Sequence, residues 1–209
     1  FDVTMITAAQ RIFSGMSNFT LIAIPFFILA GNIMNQGGIA EKLVNLALRM
    51  LGKVPGSLLH TNIMGNAMFG AISGSATAAA AAIGGVMNEQ ERKAGYDIHL
   101  GAAANIASAP TGLLIPPSNT LITYSLVSGG TSVAALFLAG YIPGILWAIG
   151  CSIVALIIAK KQGYKGSGEK FSFKALGKAL IEALPALSLI IIVIGGIIGG
   201  VFTATEGSV

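Results

Sequence analysis

The chain has 209 residues, of which 54% are hydrophobic and only 10% are charged, and its formal net charge is +4. A water-soluble domain carries about 25% charged residues, because its surface must be solvated. The composition therefore excludes a water-soluble enzyme and a disordered chain, and it indicates an all-α integral membrane protein. The excess basic residues flank apolar runs, so we expect no nucleic-acid partner. The single cysteine, Cys151, excludes a disulfide scaffold.

Residues 18–36 are predicted to form the first transmembrane helix. No charged residue occurs between Arg11 and Glu41, and this apolar run is long enough to cross a hydrocarbon core of about 30 Å. The glycine pair at positions 37 and 38 is predicted to end the helix. We therefore expect residues 1–37 to be an outer segment and a scaffold span. Since the chain begins with Phe1 rather than methionine, we also expect it to be a fragment of a longer protein.

Residues 38–53 are predicted to be an amphipathic arm. Within residues 39–51, charged and polar side chains alternate with apolar ones at helical spacing, which is typical of a helix that lies along the membrane interface. The predicted apolar face consists of Leu43, Leu46, Ala47 and Met50.

Residues 54–93 are predicted to form a re-entrant helical hairpin. Residues 54–88 carry no charge, but two full spans need about 40 apolar residues and a turn. Basic residues lie on both sides of this stretch, which agrees with two half-helices that enter and leave the same membrane face. We expect the tip at Ser73–Thr77. Two short tilted spans remain the alternative.

Residues 94–160 are predicted to contain a broken span and a second, continuous span. Residues 98–159 include no Lys, Arg, Asp or Glu, and a turn signal at residues 128–132 divides them. Pro116 and Pro117 lack backbone N–H groups and disfavour helix at the preceding residue, so the first span should be discontinuous. Asp97 is expected to cap the helix that begins this region.

Residues 161–182 are predicted to be a basic loop. Residues 160–178 contain six lysines and one glutamate, together with Gly163, Gly166 and Gly168. The positive-inside rule assigns this loop to the cytoplasm. Residues 183–205 then form the last charge-free run, and we expect a final span there.

The hairpin tip and the broken helix both offer oxygen atoms without fixed charge. Broken helices at membrane depth expose N–H groups suited to carboxylates, and their carbonyl and hydroxyl oxygens suit Na⁺. The hydroxyl and amide side chains of these two stretches are Ser73, Ser75, Thr77, Thr111, Ser118, Asn119 and Thr120. Alternatively, these small residues only pack helices closely and bond back to their own backbone.

Enzymatic chemistry is poorly supported by the sequence. Ser75 with His60 or His99 would be the candidate for an intramembrane serine hydrolase, but the Gly-x-Ser-x-Gly elbow is missing. The sequence has no Cys/His cluster with zinc-ligand spacing, and its Gly-x-Gly fragments lie within apolar runs rather than between a strand and a helix. We therefore expect neither an enzyme nor a bound cofactor.

Several segments resemble the large membrane subunit of the tripartite ATP-independent periplasmic (TRAP) transporters, of the dicarboxylate and sialic acid uptake type. In chain order these segments are LIAIPFFILAG (residues 21–31), SGSATA (73–78), GYD (95–97), LIPPS (114–118), ALFLAGYIPG (135–144) and GVFTATE (200–206). Two departures from the family pattern are visible. Asn119-Thr120 stands where this family commonly has an apolar residue followed by proline, and Ala204 stands where proline is common.

The resemblance implies half of an elevator-type transporter, with residues 183–209 beginning a second, inverted repeat. It implies Na⁺-coupled secondary uptake of an organic acid (a C4-dicarboxylate, sialic acid or sugar acid) through a multi-pass permease in the lipid of the bacterial inner membrane. The implied partners are a small membrane subunit and a periplasmic substrate-binding protein. The implied sodium-site residues are Ser73, Gly74, Ser75, Thr77, Gly112, Pro116, Ser118 and Asn119, and the implied substrate-site residues are Ser75, Asn119 and Thr120.

Two other functions remain compatible with the sequence. One is a non-transporting membrane scaffold or assembly subunit, in which the broken helices are only packing devices. The other is a related Na⁺/dicarboxylate carrier that needs no binding protein. A channel is disfavoured, since neither a ring of charges nor a pore-lining polar stripe is visible.

Overall fold

The computed structural model describes residues 2–166 and 172–209, except for the side chains of Asp2 and Met16. Within these ranges every regular element is helical, which confirms the all-α class. The α-helices are α1 (Asp2–Met16), α2 (Ala23–Gln36), α3 (Ile39–Leu51), α4 (Ser57–Ser73), α5 (Ala76–Lys93), α6 (Ile98–Ser108), α7 (Thr111–Leu114), α8 (Asn119–Val127), α9 (Val133–Gln162) and α10 (Phe173–Ile198). Short 3₁₀ segments occupy Phe19–Ile22 and Glu206–Ser208.

Three helical segments of the described chain are long and apolar enough to cross a membrane. They are Phe19–Gln36, Val133–Gln162 and Phe173–Ile198. A fourth crossing is formed if Ile98–Leu114 and Asn119–Val127, which meet at an angle of 49°, count as one bent span. These segments overlap the four predicted spans, which agrees with a multi-pass membrane protein.

The hairpin has its turn at the predicted place. Helix α4 ends at Ser73, Gly74 adopts the left-handed conformation with φ +63°, and Ser75 precedes α5. Helix α4 has 17 residues, which corresponds to about 26 Å at the helical rise and falls short of a full hydrocarbon core. Ser57 at its start and Lys93 at the end of α5 line the same cavity of about 600 Å³, so both arms end on one side of the molecule. The position of the hairpin in a bilayer stays a prediction.

The broken span is interrupted where the two prolines were expected to interrupt it. Helix α7 ends at Leu114, Ile115 is extended, and α8 begins at Asn119. Neither Pro116 nor Pro117 can donate a backbone hydrogen bond, so the helical ladder cannot continue through them. Asp97 caps α6 as predicted, since its side chain accepts a 2.8 Å hydrogen bond from the His99 amide.

Helix α3 is amphipathic as predicted, but one residue was assigned to the wrong face. Met50 is 48% exposed, whereas Ala40 and Val44 are buried with the other three predicted apolar residues. The buried face packs against α4 and α10. Protein, and not only the membrane interface, therefore covers the apolar face of the arm.

The last helix begins ten residues before the predicted span, so the boundary of the basic loop at position 182 was wrong. Helix α10 starts at Phe173 after Ser172, whose hydroxyl accepts from the Ala175 amide. Its first turns carry exposed lysines, and Lys178 lies 3.9 Å from Glu182 one turn later. When only the number of charges is considered, a helix that carries its charged side chains on a solvated face is wrongly predicted to be a loop. The centre of the predicted loop, residues 167–171 with Gly168, lies outside the described residues.

The α10 helix also ends earlier than the predicted span. Gly199 and Gly200 close it at Ile198, and Gly200 has a φ of +70° that favours glycine. Residues 201–205 are therefore not helical. The buried core consists of one cluster centred on α3, α4 and α5 and a second cluster centred on α2, α8 and the end of α10.

Candidate functional site

The hairpin tip and the broken span meet directly. The Asn119 amide donates a 3.2 Å hydrogen bond to the Gly74 carbonyl. A Cβ atom added to Gly74 would lie 2.9 Å from the Pro117 carbonyl oxygen, and its φ of +63° is also unfavourable for other residues. Glycine at position 74 is therefore required both for the turn and for the close approach of the two breaks.

Two helices begin side by side at this contact. Ser75 caps α5 with φ −137° and ψ 123°, and Ser118 caps α8 with nearly the same angles, φ −134° and ψ 121°. The Ser75 hydroxyl accepts from the Ala78 amide at 3.4 Å, and the Ser118 hydroxyl accepts from the Leu121 amide at 3.3 Å. Helix N-termini carry partial positive charge, so the pair forms an environment suited to an anionic group.

The predicted hydroxyls of the tip lie close together but differ in exposure. Ser73 is 1% exposed and donates to the Ser75 carbonyl at 3.4 Å. The Ser75 and Thr77 hydroxyl oxygens are 3.0 Å apart, and Thr77 is exposed. The tip thus presents a cluster of hydroxyl and carbonyl oxygens on the two sides of Gly74.

Asn119 supplies an unpartnered oxygen at the junction. Its side-chain oxygen Oδ1 is buried and lacks a hydrogen-bond partner in the described part of the chain. The side-chain carbon Cγ would lie 3.5 Å from a Cβ on Gly74, so the amide group stands against the tip. A buried polar atom without a partner is costly unless a ligand or water satisfies it. A cation or a hydrogen-bond donor bound beside this oxygen would satisfy it.

Gly112, another of the predicted sodium-site residues, allows a close backbone contact because it has no side chain. A Cβ on Gly70 would lie 2.1 Å from the Gly112 Cα, and a Cβ on Gly112 would lie 2.8 Å from the Gly70 Cα. The backbones of α4 and α7 are thus in contact one turn below the tip. Helix α9 supports the other side of the break, because a Cβ on Gly140 would lie 2.4 Å from the Leu114 carbonyl oxygen.

The structure brings together most, but not all, of the predicted site residues. Pro116 and Ser118 are buried within the break, and the Ser118 hydroxyl also donates to the Leu113 carbonyl. Thr120 is exposed on the first turn of α8. Its place in the predicted substrate trio with Ser75 and Asn119 stays a prediction.

A buried polar network below the site was missed by the sequence analysis. We call it the polar seam: Asn62 and Asn66 of α4, Glu91 of α5, and Asn105 and Ser108 of α6. The Asn66 side-chain nitrogen lies 3.1 Å from the Asn62 side-chain oxygen, 2.9 Å from the Asn105 side-chain oxygen and 2.9 Å from the Ser108 hydroxyl oxygen, and its two N–H groups donate within this set. The four-residue spacing of Asn62, Asn66 and Gly70 within an apolar helix is the signal that could have revealed it.

Glu91 is buried, although in the sequence it stands among the charged residues Glu89, Arg92 and Lys93 that follow the charge-free stretch of the hairpin. The residue is 3% exposed, and its oxygen Oε1 accepts a 3.0 Å hydrogen bond from Asn62. Burial raises the pKa of the Glu91 carboxyl, and the Asn62 hydrogen bond opposes part of that rise. Glu89, by contrast, is exposed, and the ammonium group of Lys93 at 2.6 Å lowers the pKa of its carboxyl.

Within the described residues, His, Cys, Asp and Glu form no group of three that could hold a metal ion. A cation at the junction would therefore be coordinated by neutral oxygens, which hard monovalent ions accept.

Comparison with known proteins identifies the family. Residues 1–209 match the family described as "Tripartite ATP-independent periplasmic transporter, DctM component". The chain is 43% identical to the sialic acid TRAP transporter large permease protein SiaM of Vibrio cholerae, over 96% of the chain and 47% of that relative. It is 36% identical to the C4-dicarboxylate TRAP transporter large permease protein DctM of Rhodobacter capsulatus, over 99% of the chain and 50% of that relative.

A further relative is the uncharacterized protein YgiK of Salmonella typhimurium, which is 56% identical over 99% of the chain and 47% of its own length. The chain thus spans about half the length of these relatives. The family is one of transporter permeases, which confirms the resemblance found in the sequence and the prediction that the chain is not an enzyme. The chain belongs to the DctM component family of the tripartite ATP-independent periplasmic transporters.

Proposed function

We propose that the chain forms half of a permease that imports an organic acid together with Na⁺, and that the junction of hairpin tip and broken span binds one of the coupling ions. The observation that carries the proposal is the buried, unpartnered Oδ1 of Asn119 beside the Gly74 turn. A Na⁺ ion placed there would satisfy this oxygen. The neighbouring hydroxyls of Ser73 and Ser75 offer further oxygen ligands of the kind Na⁺ prefers.

The same junction supports an anionic substrate. The N-termini of α5 and α8 begin beside each other and favour a carboxylate, and the seam and junction offer no fixed cation among the described residues to bind it instead. The relatives named for sialic acid and C4-dicarboxylates transport organic acids according to their names, which supports this class.

We propose that the hairpin and the broken span move as one body during transport, in an elevator motion against the scaffold span α2. The contacts that support this are the glycine pair Gly70–Gly112 and the polar seam, which tie α4, α5, α6 and α7 together. The remaining half of the permease, a small membrane subunit and a periplasmic binding protein would complete the transporter in the inner membrane.

Sodium binding can be tested on the chain itself. A ligand that binds only the folded state stabilises it, so the unfolding midpoint in lipid nanodiscs should rise when choline is replaced by Na⁺. Asn119→Leu removes the unpartnered oxygen and should weaken apparent Na⁺ affinity by about tenfold or more. Asn35→Leu, which changes an exposed asparagine at the end of α2, is the matched control and should keep the wild-type response.

An Na⁺-induced shift of equal size in Asn119→Leu and wild type would remove this residue from the site. Uptake by the complete transporter in vesicles tests coupling separately: replacing Na⁺ by choline should abolish uptake. Uptake that is unchanged in choline would refute the sodium-coupled function even if the chain binds Na⁺.

The re-entrant placement of the hairpin can be tested by labelling. Ser75→Cys, in a background where Cys151 is replaced by serine, should react slowly with a membrane-impermeant thiol reagent, and Na⁺ should slow it further by occupying the tip. Fast labelling from the outside that Na⁺ does not change would instead indicate two true spans with the tip in bulk water.

A further inference from the structure

The buried carboxyl of Glu91 has no compensating cation in the part of the chain that the structure describes. Among the described residues, its side-chain partner is the neutral amide of Asn62, and no described Lys, Arg or His lies within ion-pair distance of it. A carboxylate held in a protein interior without a counter-charge is costly, and such groups are usually neutralised instead. The surroundings of Glu91 therefore favour its uncharged form.

The direction of the hydrogen bonds determines which oxygen can carry a proton. Asn105 donates to the Ala80 carbonyl at 2.9 Å, which leaves its side-chain oxygen to accept from Asn66 at 2.9 Å. Asn66 also donates to the Asn62 side-chain oxygen at 3.1 Å, so the Asn62 nitrogen is left to donate to Oε1 of Glu91 at 3.0 Å. Since Oε1 is engaged as an acceptor, a proton on this carboxyl resides on Oε2.

Helix α6 closes over that second oxygen. A Cβ on Gly101 would lie 2.0 Å from Oε2, so the α6 backbone rests directly against the carboxyl. This spacing admits a proton but leaves no room for a hydrated cation between Glu91 and α6.

The other ionisable groups around Glu91 do not supply the missing charge. On α4, burial lowers the pKa of His60 and so disfavours its charged form. In the turn before α6, Tyr96 is buried and its pKa is raised, mainly by burial and slightly by Glu91 itself. The other charged or titratable groups on the elements packed around Glu91 are not among the causes that shift its pKa. These groups are Glu41, Lys42 and Arg49 on α3, Glu89, Arg92 and Lys93 on α5, Asp97 before α6, His99 on α6, and Tyr164 and Lys165 after α9.

We propose that Glu91 is a proton-binding site of the permease: the carboxyl takes up one proton on Oε2 when α6 packs against the hairpin, and its ionised form loosens the polar seam. The proton thereby holds the two arms of the hairpin and the broken span together. This site is separate from the junction with Asn119 and does not depend on sodium coupling.

The proposal fixes the sign of a pH effect. Because the folded chain holds the proton more tightly than the unfolded chain, its stability is highest below the ordinary pKa of 4.5 and falls as pH rises toward the folded-state value. In this window the unfolding midpoint should fall by about 3–5 °C per pH unit and then level off. Measurements in choline buffers without Na⁺ keep this effect apart from sodium binding.

Glu91→Gln mimics the protonated carboxyl and should remove this component, so that its midpoint exceeds that of wild type increasingly with pH. Glu89→Gln, two residues away on the exposed side of the same helix, should keep the wild-type slope. If the wild-type and Glu91→Gln curves run parallel, the proposal is wrong.

Infrared spectroscopy gives a readout that does not require a stable Glu91→Gln variant. Within the pH window in which the unfolding midpoint of wild type falls, wild type should show the carbonyl stretch of one protonated carboxyl that shifts in Glu91→Asp and disappears in Glu91→Gln. Absence of this band would overturn the proposal. Stabilisation of wild type by Na⁺ that Glu91→Gln abolishes would also overturn it, since it would make the site a cation site.

Discussion

Substitution of Gly70 by alanine tests the contact on which the whole site depends. The added Cβ would lie 2.1 Å from the Gly112 Cα, whereas ordinary contact begins at 3.4 Å. The two backbones would therefore have to separate by about 1.3 Å, and no side-chain rotation can relieve the overlap because the obstacle is main chain.

Two opposing effects set the magnitude. Alanine is favoured over glycine within a helix by up to about 1 kcal/mol, while overpacking of a closely packed interior costs about 1–3 kcal/mol. Since the obstacle at Gly112 is rigid, we take the upper end of the cost and expect a net loss of about 2 kcal/mol. For a chain of this size that loss lowers the unfolding midpoint by about 4–8 °C.

Gly85→Ala is the matched control. Gly85 lies within α5 of the same hairpin, is exposed, and would place its Cβ in open space with nothing within 4 Å. This variant should be stabilised by about 0.5–1 kcal/mol, since only the helix propensity changes. Thermal unfolding in nanodiscs measures both variants. A Gly70→Ala midpoint at or above that of Gly85→Ala would refute the backbone contact between α4 and α7.

Gly70→Ala should also reduce the stabilisation by Na⁺, because separating α4 from α7 moves the break away from the tip. Gly85→Ala should leave that stabilisation unchanged. A loss of stability with a full Na⁺ response would mean that the glycine contact supports the fold but not the ion site.

The hairpin turn and the broken span were predictable because local chemistry determines them. The charge-free length between the basic flanks was too short for two spans, and Gly74 with Ser75 ends one helix and begins the next. At the break, Pro116 and Pro117 interrupt any helix regardless of its neighbours. Each of these features depends on residues within one or two turns along the chain.

The buried Glu91 and the start of α10 could not be predicted in the same way. The partner of Glu91, Asn62, is 29 residues away, and a carboxyl beside Arg92 and Lys93 looks like a solvated flank until the packing is known. The lysines of the first turns of α10 likewise suggest a loop, although Ser172 begins a helix there. Composition reports how many charges a segment has, but tertiary packing determines which of them face water.

Three further substitutions test single contacts, again by thermal unfolding. Ser75→Ala removes the cap of α5 and should cost about 1 kcal/mol, with an unchanged midpoint ruling out the capping role. Trp147→Phe removes the 2.8 Å hydrogen bond from the indole to the Ala107 carbonyl and should also cost about 1 kcal/mol, and a neutral effect would show that α9 packs on α6 without this bond. Gly101→Ala places a Cβ 2.0 Å from Oε2 of Glu91 and should destabilise wild type markedly. In a Glu91→Ala background the obstructing carboxyl is gone, so the same change should be neutral or stabilising, and the two substitutions should be coupled by about 1–3 kcal/mol. Additive losses would instead mean that α6 does not rest on this carboxyl. The close contact between α6 and Glu91 in the polar seam would then be refuted.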